Sequence, residues 1–401
     1  MDKCKVSDRD AVHLLSACVE SLSLNPMDYV INRSLIRRAR QQYREDTAIN
    51  YRAEFEQLNV DFAVVHWDTK VLPSVTGIEK QDRLPVIVKT LFAEQLLGIP
   101  LISSGSGKEI SNAVFNTLEK WVLVHKVQAF EFDTTSSNTG RFNGGCTLLE
   151  MKLRRNILFL ACRLHIFELV LQAAMSSNIS NCDTSSELVE LIAENRKETL
   201  LFCLRILKNN QESRYDYTDF LELVVILLGG TLPKENKIAK PSAYHQARWM
   251  AKAIYSIKMF LLRSESAITE VEERALCGIC GFIVVNYIKP WFTANKTTEA
   301  PWNDILLLKN LNKYKEQDAI VAGVCLQKFV NHLWYLADEP VLFSLFDANV
   351  PLEEKQRMTE KLRELINSKK IEDVEDEDLT PKKYLLPYDE LNDFLEKDFG
   401  S

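Results

Sequence analysis

Two aspartates stand where a chain can do chemistry. Asp68 and Asp133 each follow a short apolar run, residues 62–67 and 127–132, that reads as a buried strand. A carboxylate at the C-terminal end of a buried strand, facing a polar loop, is a common way to hold a metal ion or activate water. Beyond Asp133 the chain turns into small hydroxylated residues, Asn138 and Gly140. The competing reading is local: Asp133 caps the next helix, or closes a turn with Thr135 or Ser136.

Other residues call for the same weighing. Cys277-Gly-Ile-Cys280 is the one C-x-x-C, with no second pair to complete four ligands, so it reads as two helical thiols rather than a zinc half-site. Cys162 and His165 flank a strand-to-helix turn, again two ligands short of a zinc site. His66 alternates with Asp68 and is expected on the same side of its strand, either near the acid or as a satisfied buried histidine. Trp67 and Lys70 flank the acid without a clear signal of their own. Gly105-Ser-Gly-Lys108 precedes a helix as a phosphate loop would, but lacks the G-x-x-x-x-G-K-[ST] spacing and reads as a turn. Arg33, Arg37, Arg40 and Arg44 fall in steps of four, three and four, which puts them on one helical face. That face is either a solvated surface or a stripe that meets phosphates.

The elements that must position these residues follow from periodicity. Residues 6–60 read as helices, the first opening at Ser7 as a capped helix. Strands are expected at 62–67, 84–92, 97–103, 127–132 and 156–161, with amphipathic helices over 109–125, 146–153 and after Cys162. Three strands on short connections, then strands alternating with helices, describe a mixed α/β (α+β) sheet with helices on its faces. Residues 180–330 carry few β signals and read as helical. The expected organisation is a helical region over 1–60 with possible DNA contact, the first part of the sheet core over 61–180, and an all-helical insertion over 181–325. A C-terminal core helix over 326–350 and an acidic, partly flexible tail over 351–401 complete it.

Bulk composition narrows the class. The chain has 401 residues, 46% hydrophobic and 26% charged, with a net charge of −7. Those are globular values, and they supply no global basic field for nucleic acid, so any such site is a local patch. No uninterrupted apolar run approaches the ~20 residues of a membrane span, and the N-terminal residues lack the apolar core of a secretion signal. Nine scattered cysteines fit reduced thiols better than a disulfide framework. A soluble intracellular protein with no membrane partner is expected.

Several separate motifs together resemble the catalytic region of DNA transposases of the hobo–Activator (hAT) superfamily, over about residues 60–350. They are the strand ending in Asp68, Phe130-Glu-Phe-Asp133 followed by Asn138, Cys162-Arg-Leu-His165, and Ala247-Arg-Trp249 inside the helical stretch. The resemblance implies a ribonuclease-H-like core interrupted by a helical insertion, with Asp68, Asp133 and a later glutamate as catalytic, metal-binding acids. The best match for the third is Glu339, ahead of Phe343-Ser344; the surrounding Ser-Glu-Arg is absent, and Asp338 and Glu353 are alternatives. It further implies Mg²⁺ (or Mn²⁺), DNA as partner, Trp249 stacking near an unpaired base, Arg248 near a phosphate, and Asn138, Cys162 and His165 in supporting roles. Trp249 also fits a helical core position beside Met250, Ile254 and Ile257. The expected function is metal-dependent phosphodiester cleavage or strand transfer by a nuclear, homo-oligomeric, transposable-element-type protein. The alternative is an inactive descendant serving as a DNA-binding or protein-interaction scaffold. The family's N-terminal zinc-binding recognition domain has no counterpart in this sequence, so either that domain is missing from the chain or the protein no longer transposes.

Overall fold

The computed structural model describes residues 6–68, 70–73, 80–177, 186–209, 215–232, 250–265, 267–294, 296–332 and 342–369. The chain divides into two compact units, one drawn from Met1–Ala63 and Val88–Gln95, the other from Val64–Ile87 and Leu96–Ser401.

In the first unit, α1 (Asp8–Ser21) and α2 (Arg33–Glu56) are paired helices. Ser7 caps α1 by accepting from the Asp10 N–H, and Asn32 caps α2 by accepting from the Leu35 N–H. Arg40 of α2 reaches back to α1, pairing with Asp8 and donating to the Val6 carbonyl at 2.9 Å.

The fold is mixed α and β around a five-stranded mixed sheet. Its strands are β1 (Ala63–Trp67), β4 (Val86–Lys89), β5 (Glu94–Gly98), β6 (Val127–Phe132) and β7 (Leu158–Ala161). The spatial order is β5-β4-β1-β6-β7. Numbered among themselves in chain order, the five run 3-2-1-4-5. β6 and β7 are parallel, with Phe132 opposite Ala161. β2 (Lys70–Pro73) and β3 (Lys80–Arg83) form a separate antiparallel hairpin between β1 and β4.

The third strand lies earlier than the 97–103 that hydropathy suggests. Thr90 turns the chain, its N–H donating to the Ala93 carbonyl at 2.8 Å, so Leu91 and Phe92 sit at an exposed turn and β5 starts at Glu94. Pro100 follows soon after, and 100–102 pairs instead with the end of β3 through Leu84 N–H to Pro100 O and Ile102 N–H to Asp82 O.

Helices α3 (Gly107–Lys120), the single turn α4 (Ser136–Thr139) and α5 (Gly145–Leu153) connect β5 to β7, and α6 (Arg163–Ser176) leaves β7. Trp67, Phe130, Phe132 and Phe159 form the aromatic core beneath them, with ring centroids 5.4–5.9 Å apart. From residue 186 to 332 every regular element among the described residues is helical. They are α7 (Ser186–Asn209), α8 (Tyr215–Leu227), α9 (Ala251–Leu261), α10 (Glu270–Phe282), α11 (Ile288–Thr293), α12 (Ala300–Lys313) and α13 (Ala319–Val330), with short 3₁₀ turns. A π turn at Ile283–Tyr287 joins α10 to α11. Pro290 accounts for it: proline has no N–H for the Asn286 carbonyl and its ring crowds that carbonyl, so the helix widens ahead of it. The resulting 24-residue helix, Glu270–Thr293, is apolar and long enough to cross a membrane, but 72% of its apolar window is buried inside the protein. Cys277 and Cys280 lie on it as free thiols; burial pushes both above the ordinary thiol value.

Leu352–Lys369, at the start of the expected acidic, partly flexible tail, forms an 18-residue helix, α14. The acidic cluster over 372–378 lies outside the described residues.

Candidate active site

Asp68 and Asp133 follow the last residues of two neighbouring strands, β1 and β6. β1 and β6 are adjacent, and side-chain contacts join them. His66 Nδ1 lies 2.9 Å from Glu131 Oε2, and Trp67 stacks on Phe132 at 5.9 Å. Residues 66 and 67 of β1 thus lie beside residues 130–132 of β6, and the residue that follows each strand is an aspartate. Both aspartates are half-buried.

Asp133 is held by a defined set of donors. Its Oδ1 accepts from Thr135 Oγ1 at 2.7 Å, from the Thr135 N–H at 3.2 Å and from Asn138 Nδ2 at 2.7 Å. The Thr135 bonds are the local turn considered above. The Asn138 bond goes beyond it, because Asn138 is only 3% exposed and its own Oδ1 accepts from Trp67 Nε1 at 2.9 Å. An indole can only donate and a carboxylate can only accept, so the two contacts assign the amide orientation without ambiguity. Trp67, at the end of the first strand, thereby orients the side chain that restrains the acid at the end of the fourth. No bond to Asp133 Oδ2 occurs among the described residues.

The loop that carries Asn138 rests on three glycines. A Cβ on Gly107, at the start of α3, would stand 2.1 Å from the Asn143 carbonyl oxygen and 2.7 Å from the Gly145 nitrogen. On Gly144 it would stand 2.4 Å from the Gly140 oxygen and 2.5 Å from the Asn138 oxygen. Gly145 faces Ile110 at 3.1 Å. Gly107 therefore serves close backbone packing of α3 on this loop. Ser106 caps α3 by accepting from the Glu109 N–H.

Cys162 sits just past β7, its N–H donating to the Phe132 carbonyl at 2.9 Å. Burial pushes its thiol above the ordinary value, and the carboxylates of Glu131 and Asp133 push the same way, against the N–H groups of His165 and Leu164. It is a neutral thiol beside the acids. His165, in the first turn of α6, lies near His332, which follows α13. Burial, then Lys328, then His165 lower His332 to about 4.

The remaining expected site residues divide three ways. Glu339, Arg248 and Trp249 lie outside the described residues. Arg33, Arg37 and Arg44 are exposed on α2, whereas Arg40 is committed to α1. Among the described residues, no group of three His, Cys, Asp or Glu side chains is placed to hold a metal ion. Trp67 and Glu131 are participants that spacing did not single out. The available signal for Trp67 was general: a buried indole N–H seeks an acceptor. No protein-family model matches the chain, and no curated protein matches it.

Proposed function

We propose that this protein is a ribonuclease-H-like, transposase-derived protein whose Asp68 and Asp133 form the core of a metal-dependent site for phosphodiester cleavage or strand transfer on DNA. The observation that carries this reading is that the two acids follow neighbouring strands of the sheet, with Asp133 restrained by Asn138 and Trp67.

The donor set fits a hard divalent cation: the candidate ligands are carboxylates, and Asp133 keeps Oδ2 available while Oδ1 is spent on positioning. Asp68 and Asp133 would hold Mg²⁺ or Mn²⁺, with Glu339 the third acid by resemblance. When bound, such ions activate a water or a 3′-hydroxyl and stabilise the leaving oxygen. The protein's own contribution is preorganisation. Asn138 restricts the rotation of Asp133, Trp67 restricts Asn138, and the aromatic core beneath keeps both strands in register. Arg248 and Trp249 would serve the DNA near the cleaved bond, and a homo-oligomer in the nucleus fits the same reading.

The test is Mn²⁺-dependent nicking of DNA hairpins by wild type and by Asp133→Asn. Cleavage by wild type alone is expected; equal cleavage by both removes the site assignment. A second reading, a non-catalytic DNA-binding or protein-interaction scaffold, is favoured by the Thr135 bonds, which give Asp133 a purely structural turn role. Under it neither protein cleaves, and Asp133→Asn changes stability alone.

A further inference from the structure

A cleft of about 740 Å³ opens between the N-terminal half of α3 and α5. Its lining includes Lys108, Lys152 and Arg154, with no Asp or Glu among the lining residues. All three cations are exposed, and none has a carboxylate partner among the described residues. This is notable in a chain of net charge −7: acids outnumber bases overall, yet three bases collect along one cleft. Cations gathered without counter-charges raise a local positive potential that attracts anions. The floor is not polar. Phe115 and Met151 line it, and Lys152 Nζ lies 5.6 Å from the centre of the Phe115 ring. That contact stations the ammonium at the cleft. Asn143 lines it too, from the segment that packs against Gly107.

Cations along a groove with an aromatic side chain in its lining resemble the arrangement that holds single-stranded nucleic acid, with charges on the phosphates and aromatic rings against the bases. We propose that this cleft binds a single nucleic-acid strand, with Lys108, Lys152 and Arg154 contacting successive phosphates and Phe115 with Met151 receiving a base. The choice of polymer rests on the phosphodiester function proposed above; the cation cluster does not.

The test measures fluorescence anisotropy of a labelled 20-nucleotide single-stranded DNA across a salt series. It compares wild type and a triple variant, Lys108→Gln with Lys152→Gln and Arg154→Gln. All three substituted side chains are exposed, and circular dichroism melting verifies the variant's fold; a Lys108→Gln single variant serves if the triple does not fold. The triple variant is expected to bind at least about tenfold more weakly, with the slope of log affinity against log salt shallower by about 2, as for three lost phosphate contacts on a single strand. The single variant is expected to lose about a third of that slope. Asp133→Asn serves the nicking comparison alone. A folded variant with wild-type affinity and salt slope overturns the proposal. So does complete displacement of the DNA by inorganic tripolyphosphate at equal phosphate concentration, which marks a small-anion site. Wild type that binds through these cations yet never nicks DNA leaves the cleft standing and removes the catalytic reading. Asp133-dependent nicking with cation-independent binding does the reverse.

Discussion

Replacing Trp67 by phenylalanine tests whether the indole of the first strand holds the acid of the fourth. The substitution deletes the donor to Asn138 Oδ1, a 2.9 Å bond between residues that are 4% and 3% exposed, while keeping an aromatic ring against Phe130 and Phe132. A buried neutral hydrogen bond contributes about 1 kcal/mol net, and a buried acceptor left unsatisfied costs about 1–3 kcal/mol. The single variant therefore combines bond loss, an orphaned amide oxygen and a smaller ring. A double-mutant cycle with Asn138→Ala separates them, because the loss of ring volume enters both arms and cancels. Asn138→Ala itself removes a charge-assisted bond to Asp133 and is expected to cost about 1.5–3 kcal/mol. The coupling energy expected from urea unfolding is about 1 kcal/mol. A coupling below about 0.3 kcal/mol, within the error of independent sites, refutes the reasoning. If the two residues act through Asp133, both variants also lower Mn²⁺-dependent nicking, and adding Asp133→Asn to either lowers it no further.

Gly107→Ala is expected to destabilise by about 1–3 kcal/mol or more in thermal melting, since its methyl meets backbone that cannot yield; Gly105→Ala, with open space around it, is expected to be near neutral. Tyr287→Phe removes the 2.6 Å donor to Glu168 and is expected to cost about 1.5–3 kcal/mol by urea denaturation. Burial raises Asp304 to about 6 despite the Arg163 guanidinium 2.7 Å away. A raised carboxyl contributes stability below its unfolded value of 3.8 and loses it as pH rises through about 6. Asp304→Asn is therefore expected to gain on wild type between pH 4 and pH 7, by up to roughly 3 kcal/mol; a constant difference in unfolding free energy across that range refutes this. His332, lowered to about 4, has the opposite sign: its contribution is complete above its unfolded value near 6.5 and fades as pH falls toward 4. His332→Asn is expected to flatten the acid limb of the melting profile.

What could be read in the sequence was local. Ser7 before an apolar-periodic run marked the first helix, and the cap bond to Asp10 is made within three residues. Apolar runs closed by an acid marked β1 and β6, because strand burial and the strand-to-loop change leave their imprint on adjacent residues. Even the competing readings of Asp133 were visible, since Thr135 is two residues away. The errors came where a turn or a neighbour decided the outcome. Leu91 and Phe92 look like strand and are exposed at a turn, so hydropathy alone placed the third strand too late. The hairpin of β2 and β3 depends on pairing across a six-residue gap. Trp67 and Asn138 are 71 residues apart, and no periodicity links them; only the side-by-side assembly of two strands brings the indole to the amide. Gly107 resembled part of a phosphate loop in sequence, yet its lack of a side chain is required by the backbone of residues 143–145. Caps and periods are written in neighbouring residues because the bonds that enforce them span one turn. Which side chain restrains Asp133, and which backbone needs a glycine, depend on contacts between distant segments, and those exist only once the sheet and its helices have assembled.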